Sequence, residues 1–200
     1  MDGVAAEATG PRARFARWLL RVARWQLVGT VPRRAIVIGA PHTSNWDFVF
    51  TLLTIWADGI SPHVLVKREM FWWPMGAIMR SLGAIETDRE GARGLVERLT
   101  REARESEDFV LVLAPDGTRT PTDHWKSGFY RLATGSGLPL ALGFVDGPTR
   151  TTGIGETIEL TGEVRVDMDR IRAFYADKHG LRPGRGSAVR LREEDRPARG

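Results

Sequence analysis

The chain has 200 residues and no cysteine. That absence excludes disulfide bonds, cysteine-ligated metals and a cysteine nucleophile. A long apolar run is missing too: residues 48–57 form the longest, with two threonines inside it. This run is far shorter than the about 20 residues that span a bilayer. The opening, MDGVAAEATG, lacks the basic and apolar regions of a secretory signal, so none is predicted.

Charge is distributed unevenly along the chain. Residues 1–34 carry a net charge of +5 and residues 181–200 carry +3, which leaves −4 of the total +4 for residues 35–180. The sequence pI of about 10.1 is a feature shared with nucleic-acid-binding proteins. Because the middle of the chain is acidic and shows no helix-turn-helix, zinc or RNA-binding signature, no nucleic-acid partner is predicted.

A basic amphipathic helix is predicted near the start of the chain. Phe15, Trp18, Leu19 and Val22 recur at the spacing of one helical face. Another face carries arginines, namely Arg14, Arg17, Arg21 and Arg24. This pattern is typical of a helix that lies in the interface of a membrane with anionic lipids. The alternative is a helix that packs on the protein body and keeps a basic side in water.

Segments of strand and helix character alternate through the rest of the chain. Strands are predicted at 35–39, 64–67, 83–86, Phe109–Leu113 and 138–145, and helices at 47–57, 71–82, 95–105, 127–134 and 171–178. The alternation predicts an α/β fold with a single mixed, largely parallel sheet flanked by helices. A hairpin is also expected to join 157–160 to 163–166.

Three regions are predicted from this organisation. Residues 1–30 form the N-terminal amphipathic helix at a membrane interface, and residues 31–180 form the folded domain. Residues 181–200 are rich in arginine, glycine and proline and predict a basic, mobile tail.

His42 lies in the short connection between the first predicted strand of the domain and the helix that follows it. Ser44 and Asp47 have the spacing of a capping box, which would begin that helix. His42 would then lie at the carboxyl end of a buried strand, where open α/β sheets bind ligands. The helix dipole favours a neutral imidazole, which a general base requires, and Asp47 can orient the ring. His42 and Asp47 are therefore candidate catalytic residues.

Two further strand-end loops carry groups suited to an anion. One predicted strand ends in Asp88-Arg89, and Phe109–Leu113 is followed by APDGTR, residues 114–119. Glycine in a turn lets backbone N–H groups face a ligand, and each arginine offers a planar fork of donors for phosphate. Each loop alone is an ordinary turn with a surface charge. Together with His42 they predict a site for a base and an anion.

Four blocks resemble the motifs of the 1-acylglycerol-3-phosphate acyltransferase family. They are HTSNWD at 42–47, GAIETDR at 83–89, APDGTR at 114–119 and GLPLAL at 137–142, in the family's order and spacing. The segment HWKSGFYRLA, at 124–133, is similar to a short bacterial subgroup. Departures from the usual pattern are Glu86-Thr87 for Phe-Ile in the second block, and Ala114 and Asp116 for Phe and Glu in the third.

The resemblance implies that residues 31–180 are an acyltransferase domain of the EC 2.3.1 type. Such an enzyme moves a fatty acyl group from acyl-CoA or acyl-carrier protein to a hydroxyl of a lysophospholipid such as 1-acylglycerol-3-phosphate. The thioester is a co-substrate, and neither a further cofactor nor a metal is implied. The expected location is the cytoplasmic face of the cell membrane, as a peripheral protein of phospholipid biosynthesis.

The resemblance also implies roles for individual residues. His42 would be the base and Asp47 would orient it. Arg89 and Arg119 would hold the acceptor's phosphate. The substrate loop would be shaped by Asp116, Gly117 and Thr118.

Two related activities remain open at this point. The acceptor could be a different lipid hydroxyl, or water could replace the alcohol and make the protein a thioester hydrolase. A serine hydrolase is not predicted, because the sequence has no G-x-S-x-G elbow.

Overall fold

The computed structural model describes residues 10–68, 71, 73, 75–87, 92–118 and 120–195. The strands are β1 (Gln26–Val28), β2 (Arg34–Gly39), β3 (His63–Lys67), β4 (Ala84–Thr87), β5 (Phe109–Leu113), β6 (Leu140–Asp146) and β7 (Thr151–Ile158). The helices are α1 (Pro11–Val22), α2 (Asn45–Ala57), α3 (Met75–Ser81), α4 (Ala92–Glu105), α5 (Gly128–Ser136) and α6 (Val164–Tyr175). A short 3-10 helix, Arg192–Asp195, follows.

All seven strands belong to one sheet, in the order β1-β7-β6-β2-β5-β3-β4. Strands β6, β2, β5, β3 and β4 run parallel, whereas β7 is antiparallel to β6 and β1 is parallel to β7. This arrangement confirms the predicted α/β class with a single mixed, largely parallel sheet. The central strand is β2, which lies between β6 and β5.

Helices cover both faces of the central strands. In β2, Ile36 and Ile38 belong to a buried cluster that includes side chains of α4, α5 and α6. Ala35 and Val37 belong to a second cluster with side chains of α2. Because both faces are buried, the strands are continuous apolar runs rather than alternating ones, which is why their positions could be predicted.

Apart from the second strand of the hairpin, each predicted strand and helix of the domain overlaps an observed element of the same type, but β1 and most of β7 were not predicted. Strand β7 reads TTGIGETI, with two glycines that give little apolar signal. At Gly153 a Cβ atom would lie 1.9 Å from the carbonyl oxygen of Val28. The glycine is thus needed for the close approach of β1, a requirement that local periodicity does not reveal.

The predicted hairpin between 157–160 and 163–166 is wrong, because the second segment begins α6. Asp167, in the first turn of that helix, accepts hydrogen bonds from the backbone N–H groups of Thr161 (2.9 Å) and Gly162 (3.1 Å). Apolar residues of α6 are buried at helical spacing: Met168, Ile171 and Tyr175. The prediction of a strand rested on apolar residues at alternate positions, among them Val166. This side chain is 60% exposed on the outer side of the helix, so it does not mark a buried strand face.

Helix α1 packs on the outside of α2. Ala16 and Leu20 lie in a buried cluster with Leu53 and Ala57 of α2. Phe15, Trp18 and Val22 project from the opposite side of α1 and are 51%, 55% and 62% exposed. We call these three residues the outer stripe. The helix therefore packs on the body through alanines and leucines while it presents other apolar side chains outward. In the described part of the chain, every helix is too short or too polar to cross a bilayer.

The C-terminal segment packs on the domain as far as residue 195. Leu191 is fully buried in the main core cluster, and the backbone N–H of Trp125 donates to the carbonyl oxygen of Arg190 at 2.7 Å. One leucine in an arginine- and glycine-rich segment is too weak a pattern to predict this docking. The predicted division at residues 30 and 180, and the mobility of 181–200, stay predictions.

The docking of this segment leads to the first prediction. Leu191→Ala should lower the free energy of unfolding by about 2–5 kcal/mol, because it removes a fully buried leucine. Denaturant titration measures the change. Arg192→Ala, at the exposed next residue, is the control and should change the stability by no more than about 0.5 kcal/mol. Equal, small effects would mean that the segment does not dock in solution.

Candidate active site

The candidate site lies at the carboxyl edge of the parallel strands. Strands β2 and β5 are neighbours, with Ile38 paired to Leu113. Their following loops, residues 40–44 and 114–118, therefore leave the sheet side by side, about 4.8 Å apart where the strands end. This is the edge at which open α/β sheets bind ligands.

The loop after β2 ends in the predicted capping box. Ser44 is the N-cap of α2, and its hydroxyl oxygen accepts a hydrogen bond from the Trp46 backbone N–H at 3.3 Å. Asp47 reaches back and accepts from the backbone N–H of Ser44 at 2.5 Å. At the N-terminus of a helix the first backbone N–H groups have no partner within the helix. Here two backbone N–H groups, those of Ser44 and Trp46, have side-chain acceptors. The short sequence between β2 and α2 thus determines its own local geometry.

The same carboxylate faces His42. Oδ2 of Asp47 lies 3.8 Å from Nδ1 of His42 and also accepts from the backbone N–H of Thr43 at 2.6 Å. The His42–Asp47 distance is longer than a hydrogen bond, so the two side chains are adjacent without being bonded in this state. Oδ1 of Asp47 is buried without a hydrogen-bond partner.

Burial and hydrogen bonding act in opposite directions on Asp47. Removal from water raises the pKa of this carboxyl above its ordinary value, although the amides of Ser44 and Thr43 lower it. An imidazolium beside the carboxylate would favour its ionised form further. At the 3.8 Å separation of the two side chains, a charged Asp47 would in turn stabilise a protonated His42.

The loop after β5 contains a second buried acid. Asp116 is buried, its Oδ2 is 3.4 Å from the hydroxyl of Ser187, and its Oδ1 has no hydrogen-bond partner. Burial raises the pKa of Asp116 to about 7, against the lowering effect of the Ser187 hydroxyl. Gly117 has a φ of +61°, and a Cβ atom there would lie 2.9 Å from Nζ of Lys126. A lysine amine thus lies over this turn.

The predicted site residues fall into two groups. His42 lies in the loop after β2 and Asp47 in the first turn of α2, whereas Asp116, Gly117 and Thr118 lie in the neighbouring loop after β5, with Thr118 half-buried. Arg89 and Arg119 are outside the described residues. No group of three histidine, aspartate or glutamate side chains in the described ranges could hold a metal ion.

Sequence reasoning missed Thr43. This residue is buried, donates to Asp47, and accepts a hydrogen bond at Oγ1 from the backbone N–H of Arg182 at 3.1 Å. Within the motif it occupies one of the four unspecified positions, and its partner is 139 residues away. A contact of that separation leaves no local pattern, so the sequence offers no signal for it.

The structure thus brings a histidine and a buried aspartate together at the carboxyl edge of an α/β sheet. The chain belongs to the acyltransferase family, whose model, described as Acyltransferase, matches residues 23–145. The family resemblance based on the four sequence blocks is thereby confirmed. A comparison with curated proteins finds no match to this chain.

Among solved structures, the fold is similar to the 1-acyl-sn-glycerophosphate (LPA) acyltransferase PlsC from Thermotoga maritima. The TM-score is 0.55 at 16% sequence identity, and the match covers 81% of this chain and 74% of that one. At this identity the likeness shows the shared fold alone.

The second prediction concerns the pH dependence of stability. An unfolded aspartate has a pKa of about 3.9, whereas that of Asp116 in the fold is about 7. Between these values the folded state keeps a proton that the unfolded state has lost. The free energy of unfolding should therefore fall as pH rises through this window, by at most about 1.4 kcal/mol per pH unit from this group.

Denaturant titrations at pH 5, 6, 7 and 8 measure this contribution. In Asp116→Asn the free energy of unfolding should not show this decrease between pH 5 and 7. The difference in free energy of unfolding between this variant and the wild type should level off above pH 7. Asp123→Asn, which changes an exposed aspartate nearby, should follow the wild-type curve. Parallel curves for the wild type and Asp116→Asn would show that Asp116 does not retain a proton in the fold.

Proposed function

We propose that this protein transfers a fatty acyl group from an acyl thioester to a hydroxyl of a lysophospholipid such as 1-acylglycerol-3-phosphate. Family membership supports acyl transfer. The observation that carries the mechanism is the pairing of His42 with Asp47 at the carboxyl end of β2. Acyl-CoA or acyl-carrier protein supplies the acyl group as co-substrate.

His42 acts as the general base in this proposal. Its imidazole takes the proton of the acceptor hydroxyl as the hydroxyl oxygen attacks the thioester carbonyl. The new ester C–O bond forms, the C–S bond breaks, and the proton passes from the imidazolium to the departing thiolate. Asp47 orients the ring and stabilises its charged form. No acyl-enzyme intermediate is required.

The loop after β5 is proposed to receive the acceptor's phosphate. Lys126 places an amine over the Gly117 turn, where it adds a positive charge. Arg89 and Arg119 are proposed, on the family resemblance, to supply guanidinium forks to the same phosphate. Asp116 and Thr118 shape the turn.

The third prediction tests the base. His42→Ala should fold normally and lose about 10²–10⁴-fold in turnover, because a general base contributes that much. Acyl transfer from acyl-CoA to 1-acylglycerol-3-phosphate is measured by mass spectrometry of the lipid product. The control is His124→Ala, whose imidazole Nε2 lies 3.0 Å from Asp195; it should keep most of the activity.

Two outcomes would count against this function. Near-normal turnover by folded His42→Ala would remove the base from the mechanism. Release of free fatty acid at the same rate with and without lysolipid would identify a thioester hydrolase instead.

We further infer that the outer stripe lies in the interface of an anionic membrane. Its three side chains are each more than half exposed and project away from the body, and Arg14 and Arg21 are exposed on the same helix. Trp46 is 64% exposed in the first turn of α2, four residues after His42. A membrane touching both helices would bring lysolipid headgroups to the site. The proposed location is peripheral, on the cytoplasmic face of the cell membrane.

The fourth prediction compares two valines of similar exposure. Val22 in the outer stripe is 62% exposed, and Val166 on α6 is 60% exposed. Val22→Ser should lower the partition of the protein onto phosphatidylglycerol-containing vesicles about tenfold, since burial of a valine contributes on the order of 1.5 kcal/mol or more. Val166→Ser should leave the partition unchanged. Vesicle flotation measures both.

Substitution is a cleaner test here than removal of the first 28 residues. Such a deletion would also remove β1 and the packing of Leu20 on α2. Wild-type binding should weaken as salt rises, because the attraction between arginines and headgroups is screened. Equal loss for both valine variants, or no wild-type binding, would assign the outer stripe another role.

A further inference from the structure

The segment that follows α6 crosses the carboxyl edge of the sheet in the strand order β6, β2, β5. It starts at the end of β6, where the backbone N–H of His179 donates to Oδ1 of Asp146 at 2.9 Å. The backbone N–H of Gly147 donates to the carbonyl oxygen of Gly180 at 3.0 Å. Asp146 is buried, so the beginning of the segment is held at a defined place.

At the end of β2 the segment meets Thr43. The backbone N–H of Arg182 donates to Oγ1 of Thr43, and Thr43 donates its own N–H to Oδ2 of Asp47. Thr43 is buried between the two. Thr43 therefore joins the C-terminal segment to the carboxylate that faces His42. The backbone of Leu181, next to Gly180, also hydrogen-bonds this carboxyl and lowers its pKa.

The approach to Thr43 requires glycine at position 180. Gly180 has a φ of +68°, and a Cβ atom there would lie 2.8 Å from both Cγ2 and Oγ1 of Thr43. Gly184 has a similar φ of +78°, but a Cβ atom there would have no neighbour within 4 Å. The two glycines share the same backbone constraint, and only Gly180 contacts the site.

At the end of β5 the segment meets the second loop. The hydroxyl of Ser187 donates to Oδ2 of Asp116 at 3.4 Å and accepts from the backbone N–H of Thr122 at 3.2 Å. The backbone N–H of Ala188 donates to the carbonyl oxygen of Thr122 at 2.9 Å. The burial of Leu191 then anchors the segment in the core.

We propose that Gly180 is a positioning residue of the active site, whose contact with Thr43 sets the placement of Asp47 against His42. The catalytic consequence rests on the proposed acyl transfer. The positioning itself is a property of the resting protein and has a readout that requires no turnover. The matched pair Gly180→Ala and Gly184→Ala isolates it, because both variants force a side chain into the left-handed region but only one displaces Thr43.

The first measurement is the imidazole NMR spectrum of histidine-labelled protein, with the His42 signals assigned by their loss in His42→Ala. In Gly180→Ala the His42 chemical shifts and titration midpoint should move, because Asp47 follows Thr43. In Gly184→Ala they should stay at the wild-type values. Thermal unfolding shows whether the two variants lose comparable stability.

The second measurement is acyl transfer. Gly180→Ala should lower kcat at least tenfold with little change in the KM of the donor, and Gly184→Ala should lower it less than twofold. Thr43→Ser in the Gly180→Ala background keeps the hydroxyl and removes the Cγ2 methyl group. It should therefore restore part of kcat and return the His42 signals toward the wild type.

The outcomes separate the positioning role from the proposed function. Identical His42 spectra in Gly180→Ala and Gly184→Ala overturn the positioning role, whatever their activities. Thr43→Ser that fails to move the His42 signals of Gly180→Ala toward the wild type at all overturns it as well, because removal of Cγ2, one of the two Thr43 atoms in the clash, would then have no effect on the site. His42 shifts confined to Gly180→Ala, in a protein whose wild type transfers no acyl group, support the positioning role and overturn the proposed function.

Discussion

The Asp47 carboxylate is the interaction on which the candidate site depends. One oxygen, Oδ2, accepts hydrogen bonds from the backbone N–H groups of Thr43 and Ser44 and so caps the start of α2. The same oxygen lies 3.8 Å from Nδ1 of His42. Burial raises the pKa of this carboxyl, so the amide donors are what favours its charged form. The start of the helix and the placement of the acid are therefore one interaction, and any change that moves Thr43 affects both.

The sheet provides the frame for this interaction. Helices bury both faces of β2, so packing from two sides holds the strand in place, and the parallel neighbour β5 brings Asp116 to the same edge. Residues 180–187 contact both loops. In the sequence they follow the region matched by the family model, which ends at residue 145. Helix α1 packs against α2 through Ala16 and Leu20 and leaves the outer stripe facing away. The loop that carries His42 and the helix that carries the outer stripe both contact α2.

Local signals predicted a large part of this arrangement. The run FVLVL, short and rich in β-branched valine, favoured a buried strand and forms β5, and Ser44 and Asp47 form the capping box that their spacing indicated. The hairpin prediction was wrong because Val164 and Val166 alternate with polar residues over too short a stretch to distinguish a strand from the first turn of a helix. Contacts with the sheet decide that this segment is helical, since Met168 and Ile171, farther along α6, are buried in the same cluster as the strand residues.

The sequence by itself determined the α/β class, the order of the motifs and the acyltransferase family, because these depend on residues near one another in the chain. Only the tertiary structure decided that His42 and Asp47 stand adjacent without a hydrogen bond, that the outer stripe points away from the body, and that Gly180 contacts Thr43. Each of these depends on packing between segments far apart in the chain. Contacts over such distances depend on burial and steric fit in the folded protein. The identity of a glycine or a threonine in the sequence does not show which distant residue it will contact.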